Sequence, residues 1–412
     1  MNNILKLNFL VMLLVIGSVC PILAQPTSVL LGQDTTRRPI ITSVPFLSIA
    51  PDARSAAMGD VGVALSADAN SIYWNAAKLP FAEDDYAISL SYSPWLRNLV
   101  DDMYLAFLSG YYKIDKQQTF AASLRYFNMG NIQFTDINGM PITDFVPREL
   151  AFAASYSRKL SDKIGVAVTG RFIHSNLSAN LLLPNQQESR PGNTGAADIS
   201  FFYNNDKFQV SGRPATLAFG AVISNIGAKI SYTNEGEQDF IPTNLRIGTA
   251  LTGSLDPLER NKITFALDFN KLLVPSPPLI NSQGDIIKGK NPRDVTLLSG
   301  IFGSFTDAPN GFSEEIQEVM ISAGAEYKYF NIEGQDVFAA RAGYFYEARN
   351  KGNRKYFSIG AGLKYQTFAF DVAYLIPQNQ QQGNPLAETL RFTLSLNIKK
   401  ATERVYDGSD IN

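Results

Sequence analysis

The chain has 412 residues, of which 45% are hydrophobic, 18% charged and 11% aromatic, and its 36 basic and 38 acidic side chains leave a net charge of -2. This hydrophobic content excludes a disordered or low-complexity polymer, and the near-neutral, slightly acidic balance excludes a basic nucleic-acid-binding surface. Charged residues fall below the roughly 25% of ordinary soluble domains, while 18 Tyr, 27 Phe and 30 Gly are plentiful, a combination that points to lipid contact.

Residues 1–24 read as a secretory signal peptide, with Lys6 near the start, an apolar run from Phe9 to Val19, and the small residue Ala24 before Gln25. The run is too short to anchor a helix in a bilayer. The single cysteine, Cys20, lies inside this leader, so the exported chain is expected to carry no disulfide, thiolate metal site or cysteine nucleophile. No later stretch reaches the roughly 18 apolar residues of a membrane helix. An exported chain of this kind enters a membrane as a closed barrel.

Residues 25–85 read as short helices and turns rich in small residues. Asp52 is a candidate N-cap for a helix over Ala53 to Met58 that stops at Gly59, and a second turn-rich stretch runs from Asp68 to Trp74. From Tyr86 onward the pattern changes to period two, the signature of strands with one apolar face. Leu390, Phe392, Leu394, Leu396 and Ile398 alternate with Arg391, Thr393, Ser395 and Asn397, and Ile263, Phe265, Leu267 and Phe269 repeat the pattern. Fourteen such windows are predicted, at 86–92, 102–113, 119–129, 149–158, 164–175, 195–204, 216–226, 244–253, 262–270, 318–329, 337–346, 356–365, 368–375 and 389–398. Most have the roughly 9–11 residues of a tilted membrane strand.

Connections after odd-numbered windows are long and those after even-numbered ones mostly short, as in an up-and-down outer-membrane barrel with long external loops. Aromatic residues at strand ends, among them Tyr111, Tyr112, Tyr126, Phe127, Tyr327, Tyr329, Tyr344, Tyr346 and Tyr365, suit girdles at the membrane interfaces. The prediction is therefore an all-β fold, a fourteen-stranded antiparallel transmembrane β-barrel over 86–398, with a tail at 399–412 on the periplasmic side. A soluble β-sandwich or propeller is the competing architecture. A barrel this wide cannot be filled by its own side chains, so 25–85 is expected to plug the lumen, with a periplasmic extension as the alternative. Arg125, Arg171, Arg246, Arg341, Lys364 and Arg391, with Asp198, Asp268, Glu326 and Asp371, share the small or polar faces of their strands. They suit either a salt-bridge lattice that fixes the plug or a charged passage.

The longest connection, 271–317, carries an amphipathic stretch. Asp294 is its candidate N-cap, and Leu297, Leu298, Ile301, Phe302 and Phe305 fall on one helical face that either packs on the rim or docks a partner. Gly284 to Asn291 approaches a Walker A motif but ends in Asn291 where the magnesium-binding hydroxyl belongs, and reads as a surface turn. GxSxG, HExxH and CxxC motifs are absent. The single histidine, His174, shares parity with Val166, Val168 and Phe172 on the outward face, away from any luminal chemistry. No catalytic residue, metal or cofactor is predicted.

The run from Phe46 to Arg54 (FLSIAPDAR), then Met58-Gly59-Asp60 and the run from Asp68 to Lys78 (DANSIYWNAAK), resembles the N-terminal signature of the PorV family of type IX secretion proteins, within the FadL-like barrel superfamily. The likeness continues through Ser91 to Leu96 (SYSPWL), Phe305 to Phe312 (FTDAPNGF) and Arg341 to Glu347 (RAGYFYE). It implies a fourteen-strand outer-membrane barrel with an N-terminal hatch, in which Asp52, Arg54, Trp74 and Asn75 are the candidate hatch residues. It also implies a binding role. Secreted cargo would be received through its C-terminal domain from a SprA- or Sov-like translocon barrel and carried to a PorU-like sortase complex at the cell surface, with outer-membrane lipid as the other partner. One departure stands out: FadL-like hatches carry Asn-Pro-Ala where this chain has Asn75-Ala76-Ala77. A FadL-like transporter of hydrophobic small molecules and a lipid A deacylase are the rival functions.

Overall fold

The alternation closes into a barrel of fourteen antiparallel strands. The computed structural model describes residues 37–95, 102–135, 138–178, 188–233, 238–281, 283–378 and 389–399. The predicted leader, residues 25–36 of the predicted plug, Leu96 and residues 400–412 of the predicted tail lie outside the described residues. The barrel strands are β1 (Tyr86–Pro94), β2 (Met103–Lys113), β3 (Gln118–Met129), β4 (Arg148–Lys159), β5 (Ile164–Asn176), β6 (Gly192–Val210), β7 (Arg213–Gly227), β8 (Asn244–Ser254), β9 (Asn261–Leu272), β10 (Val319–Phe330), β11 (Asp336–Tyr346), β12 (Lys355–Tyr365), β13 (Phe368–Pro377) and β14 (Leu390–Ile398). Each pairs with the next, and β1 closes on β14 from Tyr86 opposite Ile398 to Tyr92 opposite Phe392. Closure leaves no open edge, which hydrocarbon demands because it satisfies no free N–H or C=O. Among the described residues no helix is long and apolar enough to cross a membrane.

Side chains sort by parity. In β1, Ile88, Leu90 and Tyr92 are exposed on the outside while Ser89, Ser91 and Ser93 are buried inside. The same outward belt is carried on by Phe120, Phe152, Val168, Phe172, Phe265, Ile359 and Leu394. Two aromatics assigned to the girdles instead point inward: Tyr111 and Phe127 are buried, the first donating to the Asp84 carbonyl and the second edge-on to Trp95. Their parity is that of Ser109 and Arg125, and parity outranks position along the strand.

Short turns gather at one end, as at 114–117 and 366–367, and long connections at the other, as at 130–147, 177–191, 228–243 and 273–318. The long end is the external one. Strands β6 and β7 outrun their predicted windows, because backbone pairing continues past the apolar belt into Asn205, Gln209 and Arg213, where no hydrophobic alternation marks it. They turn through Ser211 (φ 52) and Gly212 (φ 77), the two positive φ values of a tight type I′ hairpin. The long connections also hold two small hairpins, Ile132–Thr135 with Pro141–Phe145 and Leu279–Ile280 with Ile286–Lys288. The Walker-like stretch is the tip and return strand of the second.

Residues 44–82 fill the barrel interior. They form a 3-10 turn (Pro45–Ser48), α1 (Ala53–Ala56), α2 (Ser71–Trp74) and a second 3-10 turn (Ala76–Phe81). The wall makes room for this hatch with small residues. A Cβ added at Gly343 of β11 would lie 2.0 Å from the Met58 carbonyl carbon, and one at Gly220 of β7 would lie 2.7 Å from the Val63 oxygen. Hence the glycine and alanine on the polar face of the strands: their partner is hatch backbone.

Candidate functional site

The four candidate hatch residues converge. Asp52 caps α1 by accepting from the Ser55 amide at 2.9 Å, and its other oxygen accepts the Trp74 indole N–H at 2.6 Å. Arg54 donates from Nε and Nη2 to the two oxygens of Glu326 on β10, at 3.0 and 2.9 Å, and also reaches Asp68 at 3.0 Å and the Ser66 carbonyl and hydroxyl. Glu326 receives Arg341 of β11 as well, at 2.7 Å, and Arg341 continues to Asp371 of β13 at 2.6 Å. Asn75 does the work expected of the missing proline: its Oδ1 accepts from the Ala77 amide at 3.0 Å, and its Nδ2 donates to Val63 and Phe201 carbonyls at 3.1 and 3.0 Å. The turn is fixed by the side chain at its N-cap, without the restricted φ of a proline.

The wall charges meet the hatch around its circumference. Asp268 accepts the Gly62 and Val63 amides at 2.7 and 3.0 Å, Arg125 donates to the Leu47 and Ile49 carbonyls and lies over Phe46 and Tyr73, and Arg246 donates to Tyr73 and lies over Trp74. Arg391 approaches Asp60 at 3.5 Å, and Tyr356 donates to the same carboxylate at 2.5 Å. Arg171 pairs with Asp198, and Lys364 with Asp336. This is the lattice reading of those charges: buried ions are tolerated where each finds a partner. Two cavities flank the hatch. One of about 300 Å³ takes Arg54, Asp68 and Asn70 into its lining with Lys328 and Asp336 at the short-turn end, and one of about 70 Å³ lies between Asp60, Tyr73 and Trp74 and the wall at Asn244 and Arg246.

The amphipathic stretch divides. It folds as α3 (Leu297–Gly303), whose N-cap is Thr296 and not Asp294. Pro292 starts a separate 3-10 turn ending at Asp294, and Val295 then takes an extended conformation, so the helix begins two residues late. Ile301 is 8% exposed and turns inward beside Gly300, which abuts the Phe240 ring, and Leu297 is half-buried. Leu298, Phe302 and Phe305 are exposed by 64%, 74% and 45%. The predicted single face is therefore two faces: one seats the helix, the other meets the surroundings.

A second helix, α4 (Phe312–Gln317), pins this connection down through charges that carry no local sequence signal. Lys271 of β9 donates to Glu315 at 3.1 Å and Glu318 at 2.6 Å, while Lys351 donates to Glu314 at 2.5 Å and Glu318 at 2.9 Å. Ser276 donates to Glu318 and the Ala308 amide to Glu315. Burial alone would raise the Glu314 carboxyl, but its bonds from Lys351 and the Asn310 amide, with Arg38 nearby, hold it below the ordinary carboxylate range. The partners lie some 40 residues apart in sequence, which hid the cluster from sequence reading.

His174 stands apart from all of this on β5, its Nδ1 bonded to Asn193 Oδ1 at 2.8 Å in an exposed setting. His174→Ala is expected to change unfolding free energy by less than about 0.5 kcal/mol, checked by urea titration in detergent. Among the described residues no group of three or more His, Cys, Asp or Glu side chains is placed to hold a metal ion.

With this geometry in view, the chain can be set beside known proteins. The profile of a family described as type IX secretion system protein PorV matches residues 32–279. No curated protein matches. Solved structures with a similar course include the toluene transporter TbuX of Ralstonia pickettii (11% identity, 85% of this chain and 98% of that one, TM-score 0.47). The toluene transporter TodX of P. putida (14%, 85% and 99%, 0.47) and a FadL homologue of Pseudomonas aeruginosa (12%, 87% and 98%, 0.41) are of the same kind. At these identities the likeness concerns the fold alone.

Proposed function

Since this chain belongs to the PorV family, as an outer-membrane component of type IX protein secretion, we propose that it binds the C-terminal domain of secreted cargo arriving from the translocon barrel and carries it to the surface sortase and attachment complex. It acts by binding, without bond chemistry. The observation that carries this reading is the contrast between interior and exterior. The hatch is bonded to the wall on many sides, which disfavours steady passage of a solute, whereas the external connection presents Leu298 and Phe302 on α3 and Phe305 just beyond it, and buried ion pairs pin the same connection at α4. Apolar side chains on an ordered external element suit recognition of a folded protein partner.

Affinity capture of the tagged chain from detergent-solubilised outer membranes tests the proposal. Secreted proteins sharing a C-terminal domain are expected in the eluate, together with the translocon barrel. Recovery of a bound fatty acid or aromatic hydrocarbon with no protein partner would replace the shuttle by a transporter of hydrophobic small molecules.

A further inference from the structure

Ahead of the hatch, residues 38–43 cross the mouth that carries the long connections. Their bonds go to three different ones: the Ser43 amide donates to the Phe240 carbonyl at 2.9 Å, the Arg38 amide to the Asn350 carbonyl at 2.8 Å, and Arg38 Nη2 to Glu314 at 2.5 Å. Between these attachments the strand of chain is thinly covered, and Ile41 is 83% exposed. At Val44 the backbone takes φ 49 and ψ 49 and turns down into the 3-10 helix whose Phe46 and Leu47 are buried. A β-branched residue in the left-handed region is a true outlier, kept only where the surroundings over-determine it. Here Ser43 holds one side of the bend and Phe46 the other.

The guanidinium of Arg38 is the third cation of the cluster around α4. Arg38, Lys271 and Lys351 face Glu314, Glu315 and Glu318, with side chains between 0% and 13% exposed. Lys271 and Lys351 issue from the barrel wall and a neighbouring connection. Arg38 alone comes from a segment that little else holds. Removing it leaves two cations against three buried carboxylates, an imbalance that buried sites do not tolerate well.

We propose that residues 38–44 form an external latch, in which Arg38 closes the charge balance around α4 and so fixes the 273–318 connection over the barrel mouth. Releasing the strap frees that connection while the barrel and the hatch stay in place. The latch is a conformational control on whatever the connection binds, and it stands whether or not the cargo reading does.

Two measurements on the full chain in intact cells test it. The only native cysteine lies in the predicted leader, so Ile41→Cys can be probed with a membrane-impermeant maleimide, with the parent chain as background and Ser211→Cys, in the turn at the opposite end, as counterpart. Ile41→Cys is expected to label on intact cells and Ser211→Cys only after permeabilisation. A Glu-specific protease then reports the latch, since Glu314 and Glu315, at 4% and 6% exposure, are protected while α4 is seated. Arg38→Ala is expected to speed cleavage there on the order of tenfold, with Arg38→Lys falling between it and the parent, and with heat-modifiable gel migration of the barrel unchanged. Unchanged cleavage in Arg38→Ala, labelling of Ile41→Cys only after permeabilisation, or loss of the folded barrel in Arg38→Ala would each overturn the proposal.

Discussion

Glu326→Ala is expected to release the hatch from the barrel wall. Glu326 is 1% exposed and is the one carboxylate that joins the hatch arginine, Arg54, to the wall arginine, Arg341. Its removal leaves two buried guanidinium groups facing each other with only Asp68 and Asp371 to offset them, and breaking a buried pair from one side typically costs about 3–5 kcal/mol. That is enough to raise the population of a displaced hatch by roughly two to four orders of magnitude, at 1.4 kcal/mol per factor of ten. Asp371→Ala provides the contrast. Asp371 touches Arg341 on the wall but not the hatch, so its loss should leave the lumen closed. In planar bilayers Glu326→Ala should show ion-conducting openings that the parent and Asp371→Ala lack, and cells carrying it should admit large antibiotics that the outer membrane normally excludes. A quiet bilayer with Glu326→Ala would mean that the remaining anchors, Asp268 on the Gly62 and Val63 amides and Arg125 on the Leu47 and Ile49 carbonyls, hold the hatch without the ion pair.

The barrel was legible because its two signals are local. Alternation within a strand and the long-short rhythm of connections are both read from neighbouring residues, and together they set the strand number and the external end. Strand ends were less legible wherever pairing runs beyond lipid, as in β6 and β7, because polar residues such as Asn205 and Gln209 pair through their backbone without any pattern in their side chains. The hatch shows the same division. Asp52 as a cap follows from sequence, since a cap acts on an amide three residues away. That Asp52 also holds Trp74, and that Arg54 crosses to Glu326, depends on contacts 22 and 272 residues apart, which sequence parity narrows to a face but not to a partner. Asn75 is instructive in another way. A turn without proline has a less restricted backbone, and the asparagine side chain supplies three bonds that hold it.

The amphipathic stretch of the long connection shows where helical periodicity stops being informative. Leu298, Ile301, Phe302 and Phe305 share a face on a helical wheel, yet α3 is only two turns long and ends at Gly303, before Phe305; Ile301 is buried while the other three are exposed. The two faces can be altered separately. Replacing Leu298, Phe302 and Phe305 together with Ser removes the exposed apolar side chains and leaves the seat of the helix at Gly300 and Ile301 intact. Under the cargo reading, loss of anchors of this kind costs roughly 2 kcal/mol or more each where they form the centre of an interface, so secretion of type IX cargo should fall at least tenfold while the barrel keeps its heat-modifiable migration. Ile301→Ala is the complementary variant. It opens a cavity under α3, a change that costs about 2–5 kcal/mol for a fully buried side chain, and it should loosen the connection without deleting any exposed apolar group. If the triple replacement leaves secretion untouched and only Ile301→Ala impairs it, the connection serves as a lid whose order matters and whose exposed face does not, and docking must be sought on another part of the external rim.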